Sequence, residues 1–280
     1  MKSLRTLRCF DLRNSLDNIK GLRELTNLTN VEIGYSDYTP IDRDEFPAKY
    51  RELVHALGNI CSLKRLLITA DFLPVRACLD VWCSVPASFI HLQSFHAKFG
   101  FNPWFSRVPG WIGQHHSLYD LHLTVQDVYE DDLGVLSQLP SLVHLNLRIF
   151  GTPKDKIIIR GRGFPVLKHF TVACIRISYL TFKAGAMPNL ERLELCFNAQ
   201  GCDRYGGVPA GIEHLSGLKE IIGHIAYGSA KGSNGRAAES ALRDVAGLHP
   251  GHPVSNIKLT DGRYIFDGND DEPWEEEDGN

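Results

Sequence analysis

Histidine is the residue of this 280-residue chain best suited to chemistry, with 12 copies. Four of them, His96, His122, His144 and His169, recur at intervals of 22 to 26 residues, and Asp120 stands two positions before His122. Neutral imidazole ligates zinc, and its charge changes near neutral pH. A zinc centre needs more than this. The chain has no CxxC and no HExxH string, and nothing in the spacing closes a fourth ligand position, so the sequence assigns no metal and no cofactor. Nor does it bring a nucleophile, a base and an orienting group into one recognisable arrangement. The Gly-rich stretches Arg160-GRGFP and Ser229-AKGSNG do not lead from a strand into a phosphate-binding helix, and both read as flexible loops. The chain reads as a non-enzyme, which turns attention to the elements that carry these histidines.

Those elements announce themselves as a repeat. The pattern LxxLxL occurs at Leu4-RTLRC, Leu28-TNVEI, Leu63-KRLLI, Leu92-QSFHA, Leu118-YDLHL, Leu142-VHLNL, Leu167-KHFTV and Leu190-ERLEL, with a degraded ninth copy at Leu218-KEIIG. The central apolar residue moves along the chain in steps of 24, 35, 29, 26, 24, 25, 23 and 28 residues. Leucine-rich repeats run at about 20–29 residues, each a short strand followed by a loop or helix. The fold class predicted is therefore α/β, a curved leucine-rich-repeat solenoid. Its parallel sheet lines the concave face, and loops and short helices cover the convex one. A further apolar anchor precedes most copies by three residues, at Leu25, Ile60, Phe89, Leu139, Phe164, Met187 and Leu215. His115 breaks that column.

The 35-residue step holds Asp44-EFPAKYRELVHAL-Gly58, apolar at Phe46, Tyr50, Leu53, Val54 and Leu57. This is the spacing of one helical face, with Pro47 in the first turn and Gly58 past the end. A second helix is predicted through Arg236-AAESALRDVA, capped by Asn234, with Ala238, Ala241, Leu242 and Val245 packing inward. Val254, Ile257 and Leu259 should form a last strand. The expected organisation is repeats over 1–233 with a helical insertion near 43–58, a capping helix and strand over 234–260, and an acidic disordered tail over 261–280. At the other end the repeat begins almost at Met1, so the first core layer should be exposed.

Bulk composition narrows the function classes. Apolar residues make up 43% and charged residues 22%, ordinary for a globular domain. A net charge of −3 is the wrong sign for nucleic-acid binding, although eight carboxylates between Asp267 and Asp278 more than account for it. No run of 18 apolar residues exists to span a membrane. The N-terminus lacks the apolar segment of a signal peptide. Seven cysteines without regular spacing fit reduced thiols in the cytoplasm. Cys9 and Cys174 fall on inward positions of the repeat.

Alternation along each short strand then names the outward residues. One column runs Ser94, Asp120, His144, His169, Arg192, Glu220. The next runs His96, His122, Asn146, Thr171, Glu194, and a third runs Lys98, Thr124, Arg148. Candidates for a protein-binding surface are His96, Lys98, Asp120, His122, His144, Asn146, Arg148, His169, Arg192 and Glu194. A polar, charge-mixed face suits protein recognition better than small-molecule binding. Trp82, Trp104 and Trp111 sit in the connections. Trp111 is expected as a buried anchor, and Phe99-GFNPWF-Ser106 as a more exposed loop.

Particular strings carry a resemblance. Val108-PGWIG followed by Ser117-LYDL, Leu139-PSLVHLNLRI-Phe150, Gly163-FPVLKHF, Ala186-MPNLERLEL and Gly211-IEHLSGLKEI resemble the C-terminal repeats of plant intracellular disease-resistance proteins, the coiled-coil, nucleotide-binding class. The resemblance implies a non-catalytic recognition module of plant innate immunity. Its partners would be a pathogen effector, a guarded host protein or the nucleotide-binding domain of a resistance protein. The family's GxxxxGK[ST] loop is missing, so ATP-dependent switching is not implied and a detached repeat region is expected. A substrate adaptor of a ubiquitin ligase is the alternative on the same scaffold, as is a truncated, non-functional resistance-gene fragment.

Overall fold

The computed structural model describes residues 3–35, 45–70, 89–99, 103, 105–151, 156–199, 207–227 and 233–260. The strands β1 (Thr6–Asp11), β2 (Asn30–Tyr35), β3 (Arg65–Ala70), β4 (Ser94–Phe99), β5 (Asp120–Val125) and β6 (His144–Ile149) are followed by β7 (Ile157–Ile159), β8 (His169–Cys174), β9 (Leu180–Phe182), β10 (Arg192–Asn198), β11 (Glu220–Ala226) and β12 (Val254–Thr260). Ten of them form one parallel sheet in the order β1-β2-β3-β4-β5-β6-β8-β10-β11-β12, while β7 and β9 pair separately. Among the described residues, four helices fill the connections: α1 (Leu16–Gly21), α2 (Phe46–Gly58), α3 (Glu130–Ser137) and α4 (Ser233–Leu248). This is the leucine-rich-repeat solenoid.

The repeat explains the register. Leu121, Leu145, Phe170 and Leu193 stand directly opposite one another on β5, β6, β8 and β10, and all four are buried. Full burial of one such side chain stabilises the fold by about 1.5–3 kcal/mol. A single apolar cluster runs from Leu12 to Ala246. No layer of it is closed by one repeat alone, which is why the units must stack. The anchor residue has a backbone role as well. Its carbonyl accepts from the amide three residues on in Leu28→Leu25 (3.1 Å), Leu63→Ile60 (3.2 Å), Leu118→His115 (3.0 Å) and Leu190→Met187 (3.0 Å). That turn aims the chain into the strand.

His115 occupies the same buried anchor position as its apolar counterparts, 1% exposed. The imidazole packs on Trp111 at 5.2 Å and Phe89 at 6.3 Å, and neither ring nitrogen has a hydrogen-bond partner. Burial lowers its pKa, so the ring is held neutral and packs as an aromatic group. Trp111 is buried in the tight turn Gly110–Gln114, packed at tilted and edge-on angles among Phe89, Phe95 and His115.

Several expectations need correction. Cys9 does not face inward. It has φ +56 and is exposed, and the β1–β2 register shifts between Leu7 and Phe10, so that Phe10 rather than Cys9 stands opposite Ile33. One extra residue bulges out and reverses the alternation. Cys174 is buried, and the apolar surroundings push its thiol up to about 12. Two of the short convex helices, α1 and α3, occupy connections where the sequence placed no particular helix. In α1, Ser15 Oγ accepts from the Asn18 amide, a capping bond. In α3, buried Asp132 accepts from the Tyr129 amide at 2.9 Å and from Arg107 Nη2 at 2.7 Å. The C-terminal helix begins at Ser233, so Asn234 lies inside it. The loop through Arg160 is an ordered turn with Arg162 and Phe164 at positive φ and Phe164 buried. At the two ends of the sheet, Leu4 just before β1 and Val254 on β12 are exposed. Trp82, Trp104 and the acidic tail lie outside the described residues.

Candidate functional site

The ladder that buries the leucines turns the alternate residues to the concave face. Asp120, His144, His169, Arg192 and Glu220 follow one another in direct opposition across five strands, as do His122, Asn146, Thr171 and Glu194 across four. All ten candidates lie on this face. Their exposure is uneven. Arg192 is open to solvent, whereas His96 is 8% exposed and the neighbouring Ser94 and Thr124 about equally hidden at 1%. Side chains standing one strand spacing apart, about 4.8 Å, cover each other. The polar surface is therefore a mosaic of groups in contact with one another.

Three contacts organise it. The first is a cluster. His96 Nε2 donates to Asp120 Oδ2 at 2.5 Å, His122 Nε2 lies 3.3 Å from Asp120 Oδ1, and Ser94 Oγ donates to Oδ2 at 3.0 Å. The His96 and His122 rings stack at 3.8 Å. Burial works to raise the Asp120 pKa, but the hydrogen bonds from His122 and His96 outweigh it and hold the carboxyl well below the usual carboxylate range. The second is a parallel stack of His144 on His169, ring centroids 4.7 Å apart and 2° from coplanar orientation. The third is a pair of contacts to carboxylates on the C-terminal strands. Arg192 Nε donates to Glu220 at 2.8 Å, and His224 Nε2 sits 3.2 Å from Glu194, whose second oxygen accepts from Thr171 Oγ1 at 3.3 Å. The His224 bond is the main reason the Glu194 pKa is lowered, against a smaller opposing effect of burial.

A shallow depression beside the cluster is lined by Ala97, Lys98, His122, Thr124, Asn146 and Arg148. It exists because β4 and β5 part company. Their register covers only Ser94–His96 against Asp120–His122, and Val125 is bridged instead by Phe105. A hollow of about 510 Å³ lies on the convex side, between Gly134 of α3 and the turn at Gly161, away from these side chains. Among the described residues, no helix is long and apolar enough to cross a membrane.

Sequence columns placed Asp120 beside His144 and near His122. The bond from His96, one strand back and two residues on, escaped them because a column records only direct opposition. The diagonal His224–Glu194 contact was missed for the same reason. The signal was available: long side chains reach diagonal neighbours across a sheet.

Burial also sets the pH response. It lowers the pKa of His122, His144 and His169, as it does that of His115. His122 faces Asp120, His96 and Lys98. His144 faces Asp120, His122 and Lys168, and His169 faces His144, Arg192, Glu191 and Lys168. In the unfolded chain these imidazoles take up protons near pH 6.5, while the folded protein resists doing so. Below that pH the unfolded state binds more protons, so stability is present above about 6.5 and falls on acidification. The depressed carboxylates Asp120 and Glu194 add a second loss only below about pH 4. Urea midpoints should decline from pH 7 to pH 5, and less so in a His144→Gln, His169→Gln double variant. Equal midpoints across that range would refute the assignment.

Comparison with known proteins follows the same boundaries. The model of the leucine-rich repeat region family matches residues 1–255. Disease resistance protein RGA5 of rice (Oryza sativa subsp. japonica) is 35% identical over 254 residues, which is 89% of this chain and 22% of that protein. Disease resistance protein Pikm1-TS of the same species is 29% identical over 153 residues, 53% of this chain and 13% of the relative. The chain thus spans less than a quarter of the length of these relatives.

Proposed function

Since the chain belongs to the leucine-rich repeat region family, we propose that it is a non-catalytic protein-recognition module of plant innate immunity, working in the cytoplasm through its concave face. A pathogen effector, a guarded host protein or the nucleotide-binding domain of a resistance protein would be its partner. The observation that carries this is the unbroken ladder from β5 to β10. It sets Asp120, His144, His169 and Arg192 in one row on directly paired strands. Similarity to disease resistance proteins over 89% of the chain supports the biological setting.

The chemistry of the face favours protein over other ligands. Its nitrogen-bearing side chains alternate with carboxylates, the Arg192 guanidinium with Glu220 and the His224 imidazole with Glu194. Such a mosaic offers no continuous positive strip to a phosphate backbone. Its depression is too shallow to enclose a small molecule. Charge-mixed surfaces instead select partners by matching potentials, and truncating a central charge costs affinity.

Calorimetry with an identified protein partner tests this. The triple variant His144→Ala, Arg148→Glu, Arg192→Glu should bind at least about tenfold more weakly, a change of ~1.4 kcal/mol or more. An Arg243→Glu control on α4 should bind as the unaltered chain does. Full affinity in the triple variant would remove the concave face from the interaction. None of the three substitutions removes a hydrogen-bond partner of Asp120, which are Ser94, His96 and His122, so those bonds can be probed separately.

A further inference from the structure

We propose that His96, Asp120 and His122 form a binding site for a first-row divalent cation of the zinc class. One ligand atom from each residue can be chosen so that all three lie within 4.8 Å of one another, close enough for a single ion to replace the contacts they now share. The set is two imidazole nitrogens and one carboxylate oxygen. Three protein ligands of this kind plus an open position are the composition of an accessible zinc site. The mixture of nitrogen with a single oxygen disfavours Mg²⁺ and Ca²⁺, which take oxygen shells.

Placement strengthens the case. His96 and His122 are directly opposed on β4 and β5, and Asp120 shares the strand of His122. The ligands therefore rest on paired strands rather than on a loop, so their separation is fixed by the ladder. Ser94 Oγ bonds the Asp120 carboxylate at 3.0 Å and orients it, the part that outer-shell donors play around bound metals. Beyond this pair the two strands separate, and the depression next to His122 gives an approach from the concave side.

The charge of the cluster agrees with the geometry: the Asp120 carboxylate lies between the two imidazoles, so an entering cation meets an anionic group beside two nitrogen donors. Binding through Nε2 requires the ring proton to move to Nδ1. For His122, Nδ1 is buried without a hydrogen-bond partner, so no existing bond to that nitrogen is lost in the exchange. Lys98 is the opposing charge nearby, and it lowers the His122 pKa as well. The site goes beyond the recognition reading and stands whether or not the concave face binds protein.

The test is a titration of the 280-residue chain with Zn²⁺ by calorimetry, and with Co²⁺ by visible absorption. One ion per chain is expected to bind saturably, with no response to Mg²⁺. Asp120→Asn and His122→Gln should each weaken binding at least about tenfold, while the His144→Gln, His169→Gln double variant binds unchanged. A second measurement needs no variant: Zn²⁺ should protect His96 and His122 from diethyl pyrocarbonate, read by mass spectrometry, while His144 keeps its reactivity. Absence of saturable binding overturns the proposal. So does undiminished binding by the Asp120 and His122 variants, or modification of His96 and His122 at the same rate with and without Zn²⁺.

Discussion

Replacing Phe95 with alanine should lower the unfolding free energy by about 3–5 kcal/mol, the usual range for removing a buried phenyl ring. Phe95 is fully buried on β4, and its ring meets Trp111 at 5.4 Å and Phe105 at 6.4 Å. Directly opposite it stand Leu66 of β3 and Leu121 of β5. These neighbours are aromatic or branched and held by their own repeats, so collapse into the space is restricted and the loss should lie in the upper part of that range. Domain stabilities are only about 5–15 kcal/mol in total. Urea denaturation followed by circular dichroism would measure the effect. Phe95→Leu, which keeps most of the volume, should cost under about 2 kcal/mol. A Phe95→Ala variant within about 1 kcal/mol of the unaltered chain would contradict the continuous core.

The second large effect is expected at Gly211. It has φ +82, and a Cβ there would lie 2.0 Å from the Phe182 carbonyl oxygen. The crowding comes from the convex ladder. The Phe182 amide donates to the Ala210 carbonyl at 2.8 Å, and Ala210 in turn bridges Thr181. Gly211 must then turn at once into the short helix Ile212–His214. Gly211→Ala therefore meets both an unfavourable backbone region and a backbone clash that only movement of β9 can relieve. A loss of about 2–4 kcal/mol is expected from strain of this kind. Gly134 provides the opposite sign. It lies inside α3 with nothing within 4 Å of the place an added methyl group would take, so Gly134→Ala should be neutral or stabilise by up to about 1 kcal/mol. Thermal melts of the pair would show whether the convex side is as tightly specified as the concave one.

How much of this was legible in the residues differs by element. The leucines of LxxLxL revealed the main sheet because each repeats the same burial on the same side, and Leu121 and Leu145 meet as their spacing requires. β7 and β9 were not seen. Ile157–Ile159 and Leu180–Phe182 are three residues each, too short for alternation to declare itself. α1 and α3 were missed because six and eight residues hardly exceed one and two turns of periodicity. The reversal at Cys9 could not be read at all, since cysteine is an acceptable apolar residue at that position and only the backbone shows the bulge. On the concave face, the row of each residue follows from the alternation, but its side-chain partners do not. Opposition across strands follows from counting, whereas the His96–Asp120 and His224–Glu194 bonds depend on side chains leaning along the strand.

From β2 to β4, and again from β5 through the main sheet to β12, paired residues keep step without a slip. Between the same strands the chain spends anything from 23 to 35 residues. Phase belongs to the sheet, and slack belongs to the outside. A genetic exchange that removed or duplicated one unit between matching strand positions would preserve the alternation of every strand that remained, while shifting the order of charges along the face. Loss of a single codon inside a strand would invert its two sides instead. The architecture is thus permissive to shuffling by the repeat and unforgiving to change by the residue.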